Sequence, residues 1–167
     1  MRSALVLSVL IGGAASARAA CMPEEQTFMA CHIEGSGKSL RVCFDDDTVQ
    51  YRFGPLGQSP ELALSSSVAK VDYTPWPGIG RAIWENVRFT NAGYIYEVYA
   101  GFDRMSEDAS AGFGGVRISF GEKDVAVLTC ATDALDFTWG EGLFAAKEAA
   151  GMMFDHEART WVAQQDE

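Results

Sequence analysis

Basic charge is scarce in this chain. It carries 13 Lys and Arg against 23 Asp and Glu, a net charge of −10. Nucleic acid needs a basic face to meet its phosphates, so this balance argues against nucleic-acid binding and for a cationic partner. Histidine is almost missing, with only His32 and His156. A Ser–His or Cys–His nucleophile needs a histidine and an orienting acid, and neither His has such a motif around it. There is no GxSxG and no CxxC pair, which removes two familiar hydrolase and redox signatures. Cys31 and His32 are the sole adjacent soft ligands, and neighbouring strand residues point to opposite faces, so no zinc site is expected. Gly112-Phe113-Gly114-Gly115 lacks the Lys-Ser/Thr that completes a phosphate loop and is read as a turn. Asp45-Asp46-Asp47 lacks the spaced ligands and closing Glu of a calcium loop and is read as a solvated turn. The acidic residues offer many carboxylate pairs, none singled out by spacing. The expectation is therefore no enzyme, no cofactor and no metal.

Long apolar runs are missing too. A bilayer span needs about 20 apolar residues, and the longest run here, Ala4–Ala15, ends well before Arg18. Met1-Arg2-Ser3, that apolar run and the small-residue site Ala17-Arg18-Ala19 form the three-part pattern of a secretory signal. Cleavage is expected after Ala19, with Ala15-Ser16-Ala17 as a second site. Losing Arg2 and Arg18, and no acid, takes the charge from −10 to −12. Cys21 just past the cut raises a lipid-anchor alternative, although Arg18 stands where lipoprotein signals carry a branched apolar residue. The reading is a signal peptide at 1–19 and one β-rich domain at 20–167, periplasmic or secreted.

Some 48% of the chain is apolar and 22% charged, ordinary for a globular domain. Glycine and proline cut it into short alternating segments. Thr27–Ile33 and Lys38–Phe44 flank Gly35-Ser36-Gly37; Thr48–Phe53, Glu61–Ser65 and Val68–Tyr73 follow. Thr74–Gly80, containing Trp76, reads as irregular. Ala82–Thr90 and Tyr94–Ala100 flank the turn Asn91-Ala92-Gly93, and Val116–Phe120 and Val125–Cys130 complete the set. Met105–Ala111 is small and polar and reads as a mobile loop. About eight short strands at this spacing predict a small antiparallel β-barrel or sandwich. Its core is expected at about 27–130. A helical tail at about 136–167 carries a helix over Glu141–Gly151, which is rich in helix formers and ends in Gly.

The four cysteines, Cys21, Cys31, Cys43 and Cys130, predict two disulfides in an oxidising compartment. A three-residue loop at Gly35–Gly37 places Cys31 opposite Arg41 and Cys43 opposite Met29. The two cysteines are then diagonal neighbours about 7–8 Å apart, beyond disulfide reach. Cys130 ends the last strand, where a barrel closes on its first. Cys31–Cys130 and Cys21–Cys43 are therefore expected.

Ala92-Gly93-Tyr94-Ile95-Tyr96, followed by Lys123 just before Val125-Ala126-Val127-Leu128, resembles the inhibitors of C-type lysozyme from the bacterial envelope. Their inhibitory loop carries Ser-Gly-x-x-Tyr and a later segment supplies a Lys; here Ala92 stands where the Ser belongs. The resemblance covers Phe28 to Cys130. It implies a small antiparallel barrel, a basic partner such as lysozyme, and contacts from Gly93, Tyr94, Tyr96 and Lys123. Loop residue Trp76 is a second candidate contact, having less core to enter than a strand aromatic. The expected function is a secreted acidic binding module. An envelope-associated structural protein and an enzyme of unknown class are the alternatives.

Overall fold

The computed structural model describes residues 21–107 and 112–164. The expected signal segment and residues 108–111 of the expected polar loop lie outside the described residues. Nine strands run as an antiparallel meander: β1 (Gln26–His32), β2 (Lys38–Phe44), β3 (Thr48–Pro55), β4 (Leu62–Ser67), β5 (Asp72–Thr74), β6 (Ala82–Asn91), β7 (Tyr94–Asp103), β8 (Gly112–Phe120) and β9 (Lys123–Thr129). The chain continues through a 3-10 turn (Thr132–Ala134), β10 (Asp136–Phe137), helix α1 (Glu141–Ala149), and a hairpin of β11 (Met152–Asp155) and β12 (Thr160–Ala163). Two five-stranded sheets result, ordered β10-β1-β2-β3-β4 and β5-β6-β7-β8-β9.

The mainly antiparallel β architecture with one helix near the C-terminus is as expected. The sheets do not close into a barrel. Between β4 and β5 the chain turns at Val68–Val71, with the amides of Lys70 and Val71 both donating to Ser67 O. On the opposite side β1 and β9 meet only at their ends, through an isolated bridge between Ile33 and Cys130. Glu34 N donates to Thr129 O, and Ala131 N to His32 O, each at 2.9 Å. The Cys31–Cys130 disulfide fastens that seam, and Cys21–Cys43 ties the N-terminal segment to β2; both Cα–Cα separations are 5.7 Å.

The inner faces share one core. Leu40, Val42, Val49 and Tyr51 from the first sheet meet Val87, Phe89, Val98, Ala100 and Val116 from the second, and α1 adds Leu143. Burying each of the larger side chains contributes about 1.5–3 kcal/mol. Alternation along the strands selects this face: in β6, Ile83, Glu85, Val87 and Phe89 all point in.

Four local expectations are corrected. The β1–β2 register is displaced: Cys31 lies opposite Leu40 and Cys43 opposite Thr27. The connection has four residues rather than three, since Ile33 N closes onto Lys38 O, and a bulge at Phe28 shifts the register again. Gly112–Gly115 is strand rather than turn. A Cβ on Gly115 would come within 2.2 Å of Leu128 O and 3.0 Å of the Tyr99 hydroxyl, so these glycines leave room for neighbours crossing the sheet. Val68–Lys70 is turn, with only Asp72–Thr74 paired. The tail is helical only over Glu141–Ala149; the β11–β12 hairpin occupies its end.

Candidate functional site

The β6–β7 connection is a two-residue turn at Ala92 and Gly93, with φ of +49° and +83°. Positive φ at both central positions fits the right-handed strand twist, and Gly93 takes it without strain. The neighbouring β8–β9 turn starts at Gly121, φ +58°. Register then brings the two tips together. Tyr94 pairs with Phe120, and Phe120 with Lys123. The Tyr94 and Phe120 rings lie 4.9 Å apart, and Phe120 covers Gly93, where a Cβ would stand 3.0 Å from its ring. Tyr94 and Phe120 are 39% and 53% exposed. Val125 and Val127 are also exposed along β9, Val127 paired with Arg117 on the other face of the sheet, and Glu122, Lys123 and Asp124 are exposed at the turn. Exposed aromatics at a hairpin tip have little packing role and suit contact with a partner.

Three of the expected contacts, Gly93, Tyr94 and Lys123, thus share one surface. Tyr96 does not join them. It faces inward with Val98, its ring 5.6 Å from buried Tyr51, and packs on the core. The cause is depth along the strand: Tyr94 and Tyr96 share a face of β7, but Tyr94 is exposed at the tip beyond the core, while Tyr96 is two residues deeper. Trp76 lies at the far end of β6 and β7, about 30 Å away for strands of this length. Its indole donates to Ile79 O, Arg104 lies over its ring, and its edge contact is Trp139. Phe120 was not singled out from the sequence, though the matching of tip to tip in a meander places it beside Tyr94.

The titratable groups give no convergent catalytic set among the described residues. His32 is on β1, half-buried, and His156 is exposed against Phe154. Asp45 acts as the turn acceptor expected of it: its Oδ1 receives the amides of Asp47 and Thr48, which hold its carboxyl below the usual range. Cys21, Glu25 and Cys43 cluster tightly enough for a metal, but both sulfurs are bonded to each other. Glu25 instead forms a bidentate pair with Arg52 at 2.6 and 2.7 Å. Glu85 is deeply buried on β6. It accepts 2.8 Å from the Tyr73 hydroxyl, and burial pushes its carboxyl up to about 7. Burial pushes Tyr73 up as well, so the pair is a core hydrogen bond rather than an acid and base facing solvent. Comparison with models of protein families, with curated proteins and with solved structures finds no match to this chain.

Proposed function

We propose that the chain is a secreted acidic binding module that engages a basic protein through its paired hairpin tips, as inhibitors of C-type lysozyme do. The observation that carries the reading is the exposed Tyr94–Phe120 pair with Lys123 beside it, on a molecule of strongly negative charge. The charge draws a cationic partner in, and the rings supply the contact that holds it. The leader pattern and the two disulfides support export to an oxidising compartment. Tyr94 and Phe120 take the anchoring role that the resemblance gives to Tyr96, whose half-buried ring packs against the core.

The test is binding and inhibition of an immobilised C-type lysozyme by the wild type and three variants. Tyr94→Ala and Phe120→Ala are expected to weaken binding about tenfold or more at unchanged melting temperature, the behaviour of interface anchors. Tyr96→Ala is expected to cost about 2–3 kcal/mol of stability, below the usual penalty for a fully buried aromatic because the ring is only half-buried. Absence of micromolar binding to lysozyme rejects that partner. Full binding by a Tyr94→Ala/Phe120→Ala double variant rejects the tips.

A further inference from the structure

Five cations of this acidic chain have a carboxylate beside them. Lys38, Arg52, Arg81, Arg88 and Arg117 all form salt bridges. Lys70, Lys147 and Arg159 line one cleft of about 420 Å³, in which Asp72 also attracts Lys147. The cleft lies between the β4–β5 turn, α1 and the β11–β12 hairpin. Lys147 is fully buried, its ammonium fixed by the carbonyls of Val68, Ala69 and Val71 at 3.0, 3.1 and 2.9 Å. It lies 5.0 Å from the Trp161 ring centre and supplies a stationary positive charge. Lys70 and Arg159 stand exposed on the rim. Asp72 is the acid of the lining, and it is paired with Arg88 at 3.4 Å.

A narrower slot of about 140 Å³ meets this cleft at Thr74 and Arg159. Its walls are Pro75, Pro77, Trp84 and Phe154, with His156 at its side. Flat apolar walls of this kind receive a ring, and a guanidinium receives a carboxylate in a planar fork. Arg159 also holds a backbone φ of +54° in the hairpin turn, which glycine adopts freely and arginine only under strain. A strained residue whose side chain lines a cleft points to a use for that side chain.

We propose that this cleft binds a small aromatic carboxylate. The carboxylate meets Arg159 and Lys70 within the field of Lys147, and the ring lies in the slot against Trp84 and Phe154. The site is separate from the hairpin tips, and its test does not involve the tip partner.

The probe is benzoate, titrated into the isotope-labelled full chain and followed by the indole N–H resonances of the four tryptophans. Saturable millimolar shifts of Trp84 and Trp161, with benzyl alcohol binding about tenfold more weakly, are expected for a site that reads the charge. Arg159→Gly should melt no lower than the wild type, because it relieves the turn, yet lose about tenfold in benzoate affinity. Arg159→Gln, which keeps a long polar side chain, should lose affinity similarly. The proposal is overturned by no saturable shift at tens of millimolar, by equal binding of the alcohol, by shifts centred on Trp139, or by either variant, folded, retaining wild-type affinity.

Discussion

Glu85 lies 4% exposed on the inner face of β6, between Ile83 and Val87, and its hydrogen bond comes from an equally buried tyrosine. Its folded-state pKa of about 7 stands above the 4.5 of an exposed glutamate. The folded state therefore holds a proton that the unfolded chain releases between those values. The stabilising effect is complete below about pH 4.5 and is lost as pH rises through about 7. At 1.36 kcal/mol per unit, the loss from this one group is about 3 kcal/mol. Glu85→Gln keeps the shape and removes the ionisation. Urea unfolding of the two proteins at pH 4.5 and pH 8 should show the variant gaining on the wild type by about that amount at the higher pH; a constant difference would refute the assignment. Lys147 presents the reverse balance. Burial lowers its amine from 10.5 to about 8, which costs the charged form about 3 kcal/mol. Lys147→Met removes that cost but leaves the carbonyls of Val68 and Val71, both buried, and of part-buried Ala69 without this donor, at about 1–3 kcal/mol for each buried group. The second effect is the larger, so the variant should unfold at lower urea, by about 2–4 kcal/mol. Strand parity carried enough information to place Glu85 inside, since it shares a face with Ile83, Val87 and Phe89, but not Tyr96, because β7 is apolar on both faces. Lys147 was not legible, because its carbonyl partners lie far away in sequence on a turn read as strand.

At the scale of elements, the two disulfides fasten different things. Cys31–Cys130 closes a separation of 99 residues at a seam with one bridge; Cys21–Cys43 closes 22 and holds down the segment before β1. Chain-entropy reasoning gives about 4.7 kcal/mol for the longer loop and about 3.4 for the shorter. Replacing Cys31 and Cys130 by Ala should therefore destabilise more than replacing Cys21 and Cys43. It should also raise hydrogen exchange at the amides of Glu34 and Ala131, which cross the seam. Equal losses and unchanged exchange would show that the seam is held by packing. The disulfide pairing was legible even though the register behind it was off. Four-residue connection or three, Cys31 and Cys43 never become direct cross-strand partners. The β11–β12 hairpin was missed because its turn, His156 to Arg159, contains no glycine or proline. Its amides are instead gathered by Asp155 Oδ1, which receives Glu157 and Ala158. Trp161 then docks the hairpin on the core, stacked on Tyr73 and donating 2.8 Å to its carbonyl.

Across the whole molecule, charge and contact surface have separable effects on association. The excess of acid is spread over the chain, so its field reaches an approaching cation from many directions, while the Tyr94–Phe120 pair occupies one end. Screening shortens that reach from about 10 Å at 0.1 M salt to about 3 Å at 1 M. The association rate with a basic partner should therefore fall steeply with salt, and the dissociation rate should change little. Tyr94→Ala alters no charge. It should leave the salt slope of the association rate intact and speed dissociation about tenfold, the reach of a single interface anchor. Lys123→Glu should do the opposite: it adds two negative charges' worth of attraction at an exposed position and steepens the slope, while taking from the tip a cation paired with Phe120. Measuring both rate constants over a salt series for the three proteins separates steering from anchoring. A Tyr94→Ala variant that slowed association without changing dissociation would place the contact elsewhere on the molecule and leave only the charge argument standing.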